Sequence, residues 1–280
     1  MQDIQSAISE ASKLLETISD SPELDAEILL CLVLEKNRSY LRAWSRTQLH
    51  AQQRLQFKAL LKKRQEGTPI AYITGVREFW SRDFKVTPDV LIPRPDTELL
   101  IELCLPRIPK DQSCKVIDLG TGSGAIAVTL AAERPYAQIF ASDMSEAALK
   151  IAKKNADFHH CRNMRFLQSA WFEDIAETGF DIVVSNPPYI SPNDPHLSQG
   201  DLRFEPQSAL VADENGLKDI AEIVESACKH LKEGGFLLIE HGYNQQPQVQ
   251  AIFESFDYAN IQTHHDLGGN PRVTVGQWHP

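Results

Sequence analysis

The amino-acid sequence predicts an α/β protein: a doubly wound, mostly parallel sheet that follows a small N-terminal helical domain and a β-hairpin linker. Apolar residues recur at helical spacing near the N-terminus, and a short segment rich in aromatic and β-branched residues follows. From Lys115 onward, strand-like and helix-like patterns alternate, which is typical of a parallel sheet covered by helices on both faces. The predicted divisions are residues 1–75 for the helical domain, 76–95 for the linker and 96–280 for the sheet domain.

The helical domain is predicted from three apolar patterns, and it contains no catalytic motif. Residues 4–18 have apolar side chains every three or four positions. Ser21 and Pro22 predict the start of a second helix that extends to residue 34, because proline is favoured in the first helical turn. A third apolar pattern spans residues 49–61.

The linker and the sheet domain have clearer signals. Residues 76–93 predict a β-hairpin with a turn at Thr87-Pro88-Asp89, and residues 93–96 close it and cap a helix over 97–105. A proline-rich excursion over residues 190–212 is too long for an ordinary connection, which predicts a functional role. The strands predicted beyond the linker are 115–118, 138–143, 164–168, 180–185, 235–240 and a last strand or hairpin at 273–275. The helices predicted between them are 125–134, 146–158 and 217–231.

The composition limits the class of protein. Apolar residues account for 42% of the chain and charged residues for 24%, which is ordinary for a globular protein. Five cysteines, an odd number at scattered spacings, argue against a disulfide framework or a structural zinc site. There is no signal-peptide pattern, and the longest apolar stretch, residues 28–34, is too short to cross a bilayer. We therefore expect a soluble, cytoplasmic protein without membrane partners.

The charge is unevenly distributed along the chain. A net charge of −10 argues against stable binding to nucleic acid, because that affinity depends on many Lys and Arg contacts to phosphates. From Lys36 to Gln65, however, there are nine Lys or Arg residues and no Asp or Glu. This basic segment is either a solvated helical face or a docking surface for an acidic partner.

A glycine-rich segment between the first strand and the first helix of the sheet domain predicts a cofactor site. Glycine lets the backbone turn sharply and approach a ligand closely, and ligands of such sheets bind beyond the carboxyl ends of the strands. Asp143 ends the next strand, where an acid can accept hydrogen bonds from two ribose hydroxyls, and Trp171 after the third strand can stack on an adenine. The residues that this arrangement predicts to bind the cofactor are Gly120, Gly122, Gly124, Asp143 and Trp171.

The identity of the cofactor depends on the details of this segment. Gly120, Gly122 and Ala125 also satisfy the G-x-G-x-x-G/A fingerprint of dinucleotide-binding proteins. Asp118 before the glycines, and the alternation of the glycines through Gly124, are instead similar to motif I of S-adenosylmethionine-dependent methyltransferases. A P-loop is excluded because the Gly-Lys-Ser/Thr sequence is missing. S-adenosyl-L-methionine is therefore the favoured cofactor.

The segment Asn186-Pro187-Pro188-Tyr189 at the end of the fourth strand predicts the reaction class and the catalytic and substrate-binding residues. An amide or aryl-amine nitrogen is a poor nucleophile, because its lone pair is delocalised. The Asn186 side-chain oxygen and the Pro187 carbonyl can accept both N–H groups while the nitrogen becomes tetrahedral. Pro187 and Pro188 restrict the backbone torsions, and Tyr189 offers a ring face on which a planar amide or base can lie. No metal or general base is needed, and the His159-His160 and His264-His265 pairs are predicted to be surface residues.

Four further motifs lie outside these two segments: Gly67-x-Pro69-x-x-Tyr72-x-x-Gly75, Ile92-Pro93-Arg94-Pro95-Asp96-Thr97-Glu98, Arg203-Phe204-Glu205-Pro206 and Ala209-Leu210. With all of these motifs the chain resembles the release-factor glutamine methyltransferases, the PrmC/HemK family, over essentially its full length. The resemblance implies methylation of the side-chain amide nitrogen N(5) of the glutamine in the Gly-Gly-Gln motif of peptide-chain release factors, with S-adenosyl-L-homocysteine as the product. It also implies that the helical domain and the hairpin dock the release factor, and that Thr121, Ser123 and Asn186 join the other cofactor-binding residues. Ala170 departs from the family, whose members often have an acid there for the adenine amino group.

Three other functions fit parts of the sequence. An amino-directed DNA or RNA methyltransferase shares the Asn-Pro-Pro-Tyr chemistry, but it needs a basic cleft, whereas residues 96–280 are acidic. An NAD-dependent oxidoreductase leaves this motif unexplained. A non-catalytic cofactor-binding module would be expected to lack Asn186 or the glycines, and the chain has both.

Overall fold

The computed structural model describes residues 2–279, which form two compact units. The first unit extends to Val76 and also includes Pro195–Phe204 from the proline-rich excursion. The second unit contains Arg77–Asp194 and continues from Glu205. Among the described residues, no helix is both long and apolar enough to cross a membrane.

The first unit is helical. The Asp3 carboxylate caps α1 by accepting the Ser6 N–H at 2.8 Å. Ser21 occupies the cap position of α2 as predicted, but its side chain makes no capping hydrogen bond. The two short helices α3 and α5 were not predicted, because six and five residues give too little periodicity to recognise. The helices of this unit are α1 (Ile4–Leu15), α2 (Pro22–Leu34), α3 (Arg38–Ala43), α4 (Ala51–Gln65) and α5 (Ile70–Thr74).

A buried arginine of the first unit pairs with one buried and one partly exposed aspartate. Arg64 of α4 donates to Asp25 of α2 at 2.8 Å and to Asp201 at 3.1 Å. Lys62 and Lys63, which precede Arg64 in the chain, are exposed. The basic segment is therefore not a uniform solvated face, because one of its cations is a structural residue of the interior.

A two-stranded hairpin, β1 (Val76–Phe79) and β2 (Arg82–Lys85), follows α5. Its reversal lies at Trp80 and Ser81, which have left-handed φ angles of 52° and 55°. The turn at Thr87-Pro88-Asp89 was therefore not the reversal of the hairpin; it follows β2. No residue pattern marks Trp80 and Ser81 as the turn of the hairpin, because two-residue turns of this kind normally use Asn or Gly.

The second unit contains the predicted doubly wound sheet. Seven strands lie in the order β5-β4-β3-β6-β7-β9-β8, and β9 runs antiparallel to both of its neighbours. The order reverses between β3 and β6, which creates the crevice where ligands of such sheets bind. The remaining strands are β3 (Lys115–Leu119), β4 (Gln138–Asp143), β5 (Met164–Gln168), β6 (Phe180–Ser185), β7 (Leu231–Glu240), β8 (Ala259–His265) and β9 (Pro271–Gln277). The helices are α6 (Glu98–Cys104), α7 (Ala125–Glu133), α8 (Glu146–Phe158), α9 (Asp213–Gly216), α10 (Lys218–Ala227) and α11 (Gln246–Ser255).

Successive residues of the central strands supply two separate cores. Val116 of β3 and Val184 of β6 belong to the cluster that also contains side chains of α6 and α7. Ile117 and Val183, the adjacent residues, belong to the cluster with side chains of α10 and α11. Burial of each such side chain stabilises the fold by about 1.5–3 kcal/mol. Packing on both faces of the sheet therefore keeps the strand ends in place.

The predicted fold class is confirmed. Within the second unit, the predicted and observed elements differ mainly in the C-terminal part of the chain. The helix predicted to reach residue 231 ends at Ala227, and β7 begins at Leu231, before the predicted residue 235. The strand or hairpin predicted at residues 273–275 is a hairpin of β8 and β9, although the position of β8 was not predicted. The helix α11 was not predicted. Most residues of β8 are only half buried or exposed, so they lack the apolar run that marks a central strand.

Candidate cofactor and substrate site

A cavity of about 450 Å³ lies within the second unit, at the carboxyl ends of β3, β4 and β6. Its size is in the range that holds a small ligand. Six of the predicted site residues line it: Gly120, Gly122, Asp143, Trp171, Asn186 and Pro188. The predicted residues that are not part of its lining are Thr121, Ser123, Gly124, Pro187 and Tyr189.

The glycine loop is supported from behind by Asp118. This fully buried carboxylate accepts the Thr121 hydroxyl at 2.6 Å and the Ala127 N–H at 3.2 Å. Burial raises the pKa of Asp118 to about 7. Ser123 is held at its carbonyl oxygen by the Asn155 side chain, at 2.8 Å. Asp118, Thr121 and Ser123 thus shape the loop rather than face the cavity.

Two glycines of the loop have backbone conformations that their positions require. Gly120 has a φ of +69°, and a Cβ atom added there would lie 3.3 Å from the ring of Trp171. Gly124, at φ +83°, precedes α7, and its Cβ would lie 3.1 Å from Ala152. A side chain at either position would strain the backbone, because both φ angles are positive. At Gly120 it would also crowd Trp171 beside the cavity, and at Gly124 it would crowd the contact between α7 and α8.

Asp143 is positioned to bind hydroxyl groups. Its Oδ2 accepts the Gly122 N–H at 2.9 Å and its Oδ1 accepts the Ser145 N–H at 2.8 Å. A carboxylate oxygen has about two lone-pair sites, so each oxygen can accept one further hydrogen bond from the cavity. Burial raises the pKa of Asp143, while these two backbone donors oppose the shift. This arrangement fits a pair of ribose hydroxyls.

Trp171 forms one wall of the cavity. Its indole Nε1 donates to Asp219 Oδ1 at 3.2 Å, and its ring lies against Gly120. Asp219 is the second residue of α10, it lines the same cavity, and burial raises the pKa of its carboxyl group. The sequence analysis missed Asp219, because no local motif marks it. Ala170, where family members often have an acid, also lines the cavity.

The side-chain amide of Asn186 is fixed by one hydrogen bond. Its Nδ2 donates to the Thr97 hydroxyl at 3.0 Å, which leaves Oδ1 as the group that can accept from a ligand. Thr97 is buried and immediately precedes α6. Its place in the Pro-Arg-Pro-Asp-Thr-Glu motif is the only signal that could have drawn attention to it.

Tyr189 faces away from the cavity lining. Its hydroxyl donates to Glu240 Oε1 at 3.2 Å, and its ring packs against the core cluster on the α10 side of the sheet. Burial and the neighbouring Glu240 carboxylate raise the pKa of the Tyr189 phenol. The ring face predicted for a planar substrate group is thus not part of the cavity wall.

The Arg-Phe-Glu-Pro motif meets the Ile-Pro-Arg-Pro motif through Glu205. The Glu205 side chain is fully buried, accepts the Ile92 N–H at 3.0 Å and pairs with Arg94. Pro206, the next residue, lines the cavity. These contacts bring the end of the proline-rich excursion to the edge of the site, as its length suggested.

The histidine pairs lie outside the site. His159 contacts the Asp83 carbonyl at 2.8 Å, and His264 lies in β8. Within residues 2–279, no group of three or more His, Cys, Asp or Glu side chains is arranged to hold a metal ion.

A doubly wound sheet with a glycine loop, an acid and Asn-Pro-Pro around one cavity defines an S-adenosylmethionine-dependent methyltransferase. Comparison with known proteins agrees: residues 110–279 match the methyltransferase domain family and residues 6–75 match the PrmC N-terminal domain family. Release factor glutamine methyltransferases of Salmonella typhimurium and Escherichia coli are 51% and 49% identical, over 94% and 93% of this chain and 94% of each relative. The Coxiella burnetii protein of the same name is 44% identical over 99% of both chains. The chain therefore belongs to the release factor glutamine methyltransferase family.

Solved structures support the fold. A methyltransferase from Pyrococcus furiosus superimposes with a TM-score of 0.55 over 80% of this chain and 98% of that one, at 15% identity. The 16S rRNA N2 G1207 methyltransferase of Thermus thermophilus, in complex with AdoMet and guanosine, gives 0.53 over 72% of this chain and 49% of that one, at 20% identity. The methyl donor of the present enzyme is S-adenosyl-L-methionine, as predicted, and the remaining acceptor sites of Asp143 and the glycine backbone at the cavity wall fit this group.

Proposed function

We infer that the enzyme methylates the side-chain amide nitrogen N(5) of the glutamine in the Gly-Gly-Gln motif of peptide-chain release factors. Family membership supports the substrate class, and the comparisons do not favour a nucleic-acid substrate. The observation that carries the chemistry is the orientation of Asn186, whose amide nitrogen is engaged by Thr97 while its oxygen remains an acceptor.

The proposed mechanism depends on two acceptors. Asn186 Oδ1 and the Pro187 carbonyl accept the two N–H groups of the glutamine amide, so that its lone pair is released as the nitrogen becomes tetrahedral. The bound cofactor supplies a methyl group that its sulfonium already activates. As the new N–C bond forms, the S–C bond breaks, S-adenosyl-L-homocysteine is left, and the nitrogen loses one proton to solvent. The residues contribute alignment and polarity, so no metal or covalent nucleophile takes part.

The proposal assigns the other site residues to binding. Gly120, Gly122, Asp143 and Trp171 line the cavity and hold the cofactor, with Asp143 on the ribose and Trp171 at the adenine. Thr121, Ser123 and Gly124 contribute by keeping the glycine loop in shape. Asn186 to Tyr189 hold the glutamine, and Tyr189 does so by fixing the backbone through Glu240. Residues 1–75 and the linker 76–95 dock the release factor, and residues 96–280 carry out the transfer. Because release factors act at the ribosome, the proposal includes a cytoplasmic location and no stable binding to nucleic acid.

The test uses methyl-labelled S-adenosylmethionine, a purified release factor and peptide mass spectrometry. Wild type and an Asn244→Ala variant, altered at an exposed asparagine, should label the Gly-Gly-Gln glutamine. Asn186→Ala should lose the label and still bind the cofactor. A release factor with alanine in place of that glutamine should stay unlabelled. Label on a different residue, or on ribosomal RNA added in parallel, would contradict the proposed substrate.

A second test concerns the basic segment, which is proposed to steer an acidic release factor by long-range attraction. Lys62 and Lys63 are exposed and suit a charge reversal, whereas Arg64 is buried in an ion pair. Lys62→Glu with Lys63→Glu should slow association, most strongly at low salt, because screening weakens such attraction. Lys110→Glu with Lys229→Glu is the matched control, since these exposed lysines precede β3 and β7, at the opposite edge from the cavity. Equal rates for both double variants at low salt would refute steering.

A further inference from the structure

The indole of Trp171 extends along one wall of the cavity. At its benzene end, Cζ3 and Cη2 lie 3.3 and 3.6 Å from the position of a Cβ atom added to Gly120. At its pyrrole end, Nε1 donates to Asp219 Oδ1 at 3.2 Å. All three residues belong to the lining of the cavity. The glycine loop and the first turn of α10 therefore meet the two ends of one aromatic ring.

The Asp219 carboxylate keeps unused acceptor sites after this hydrogen bond. A carboxylate has about four lone-pair sites on its two oxygens, and the Trp171 N–H occupies one of them on Oδ1. No other group within residues 2–279 donates a hydrogen bond to this carboxylate. The preceding residue, Lys218, pairs with Asp213 at 3.8 Å. Because Asp219 lines the cavity, its remaining sites are available to a ligand there.

The edge of a purine base determines whether it fits beside a carboxylate. Adenine has an exocyclic amino group, which donates hydrogen bonds, whereas guanine and hypoxanthine have a carbonyl oxygen at the same position. A base that stacks on Trp171 brings its edge close to the edge of the indole, where the Asp219 carboxylate lies. The carboxylate can accept from an amino group at that edge, and it repels a carbonyl oxygen.

The other acceptors of the cavity are less suited to this contact. Ala170 has no side-chain acceptor, and its carbonyl already accepts a backbone N–H at 2.9 Å. Asp143 is assigned to the ribose, and each of its oxygens already accepts one backbone N–H. Asp89 is exposed and has no hydrogen bond to Trp171. Asp219 is the carboxylate of the lining that is bonded to the indole itself.

Holding the indole does not by itself require an acid. A neutral Asn side chain also has an oxygen that can accept the Trp171 N–H. Burial raises the pKa of Asp219, and the Trp171 N–H and Lys218 oppose this shift, so the carboxylate is charged at a cost in desolvation. A charged acceptor in a partly desolvated place binds a donor more strongly than a neutral one. The charge of Asp219 is thus suited to a second donor.

We propose that Asp219 accepts a hydrogen bond from the exocyclic amino group of the cofactor's adenine and so makes the site selective for this base. The proposal rests on the part of the proposed function that places Trp171 at the adenine. It is independent of the methyl acceptor, because it concerns the binding of the cofactor alone. In this chain Asp219 takes the task expected of an acid at position 170, where alanine stands.

The experiment measures the Kd of two ligands by isothermal titration calorimetry. They are S-adenosyl-L-homocysteine and S-inosyl-L-homocysteine, in which a carbonyl oxygen replaces the amino group. Asp219→Asn keeps an oxygen for the Trp171 N–H and puts an NH₂ group in place of the second oxygen. Its Kd for S-adenosyl-L-homocysteine should rise about 10- to 100-fold, as expected for a lost hydrogen bond to a charged group. Its Kd for S-inosyl-L-homocysteine should fall, because the NH₂ group can donate to the carbonyl oxygen.

The control is Asp89→Asn, which removes another carboxylate of the lining and should leave the ratio of the two Kd values unchanged. If Asp219→Asn changes both Kd values by the same factor, or changes neither, base selection by Asp219 is refuted. The same holds if the wild type binds the two ligands equally well, a result that does not depend on any variant. If the wild type shows this selectivity but transfers no label to a release factor, the proposed function fails while the role of Asp219 stands.

Discussion

Replacing Asp143 by Asn should weaken cofactor binding by a predictable factor. Both carboxylate oxygens already accept backbone N–H groups, from Gly122 at 2.9 Å and Ser145 at 2.8 Å. Asparagine has one neutral oxygen and one NH₂ group, so its NH₂ must face one of these donors. One ribose hydroxyl then loses its acceptor, and the other keeps only an uncharged one. A hydrogen bond to a charged group contributes about 1.5–3 kcal/mol, and about 1.4 kcal/mol corresponds to a factor of ten. The Kd for S-adenosylmethionine should therefore rise about 10- to 100-fold.

The assay is isothermal titration calorimetry with S-adenosyl-L-homocysteine and with its 2′-deoxy and 3′-deoxy analogues. If Asp143 binds the ribose, the affinity lost on Asp143→Asn should be smaller for at least one deoxy analogue than for S-adenosyl-L-homocysteine. That analogue lacks the hydroxyl, so its hydrogen bond to Asp143 is already missing in the wild type. Asp89→Asn is the matched control, since Asp89 is an exposed carboxylate that lines the same cavity. The ribose assignment would be refuted if Asp143→Asn left the Kd for S-adenosyl-L-homocysteine unchanged. It would also be refuted if the variant lost as much affinity for both deoxy analogues as for S-adenosyl-L-homocysteine.

Three further predictions concern burial and charge. Replacing Arg64 by Leu leaves Asp25 buried without its partner, so urea unfolding should show a loss of about 3–5 kcal/mol, and a loss below 1 kcal/mol would contradict this. Trp171→Phe removes the hydrogen bond to Asp219 but keeps a ring, so the cofactor Kd should rise only a few-fold, and much less than in Trp171→Ala. Glu240 has its pKa raised from 4.5 to about 7 in the folded state, so its contribution to stability should fall as pH rises between these values, because the unfolded chain releases this proton first. Melting temperatures across that range should therefore fall less in Glu240→Met than in wild type, and equal pH slopes would contradict it.

The central strands β4 and β6 begin and end at the predicted residues, and their apolar runs could be recognised because these strands are mostly buried. The bounds of β5 were also predicted, although β5 is an edge strand without a fully buried residue. The edge elements α11 and β8 could not be predicted in this way, since neither has a continuous apolar run. The hairpin was displaced because its turn uses a left-handed Trp80 and Ser81, which carry no turn signal.

The same contrast applies to the site. The glycine loop, Asp143 and Asn186 have local motifs at strand ends, and the structure brings them to one cavity. Asp219 and Glu240 have no such motif, because their contacts depend on which strands and helices become neighbours. The sequence therefore indicates the groups that belong to a local motif more readily than the groups that folding brings to the site from elsewhere in the chain.

The contact between Arg94 and Glu205 has a consequence for how the sequence can change over time. Glu205 is fully buried, and besides the Ile92 N–H its charge is met by Arg94, which lies in a distant part of the chain. A mutation of Arg94 alone gives an intermediate with the Glu205 carboxylate buried without its charged partner, which costs about 3–5 kcal/mol. Most proteins have a total stability of only about 5–15 kcal/mol, so such an intermediate would be selected against. The two motifs that carry these residues are therefore expected to be inherited as a single unit, although Arg94 and Glu205 are 111 positions apart in the sequence.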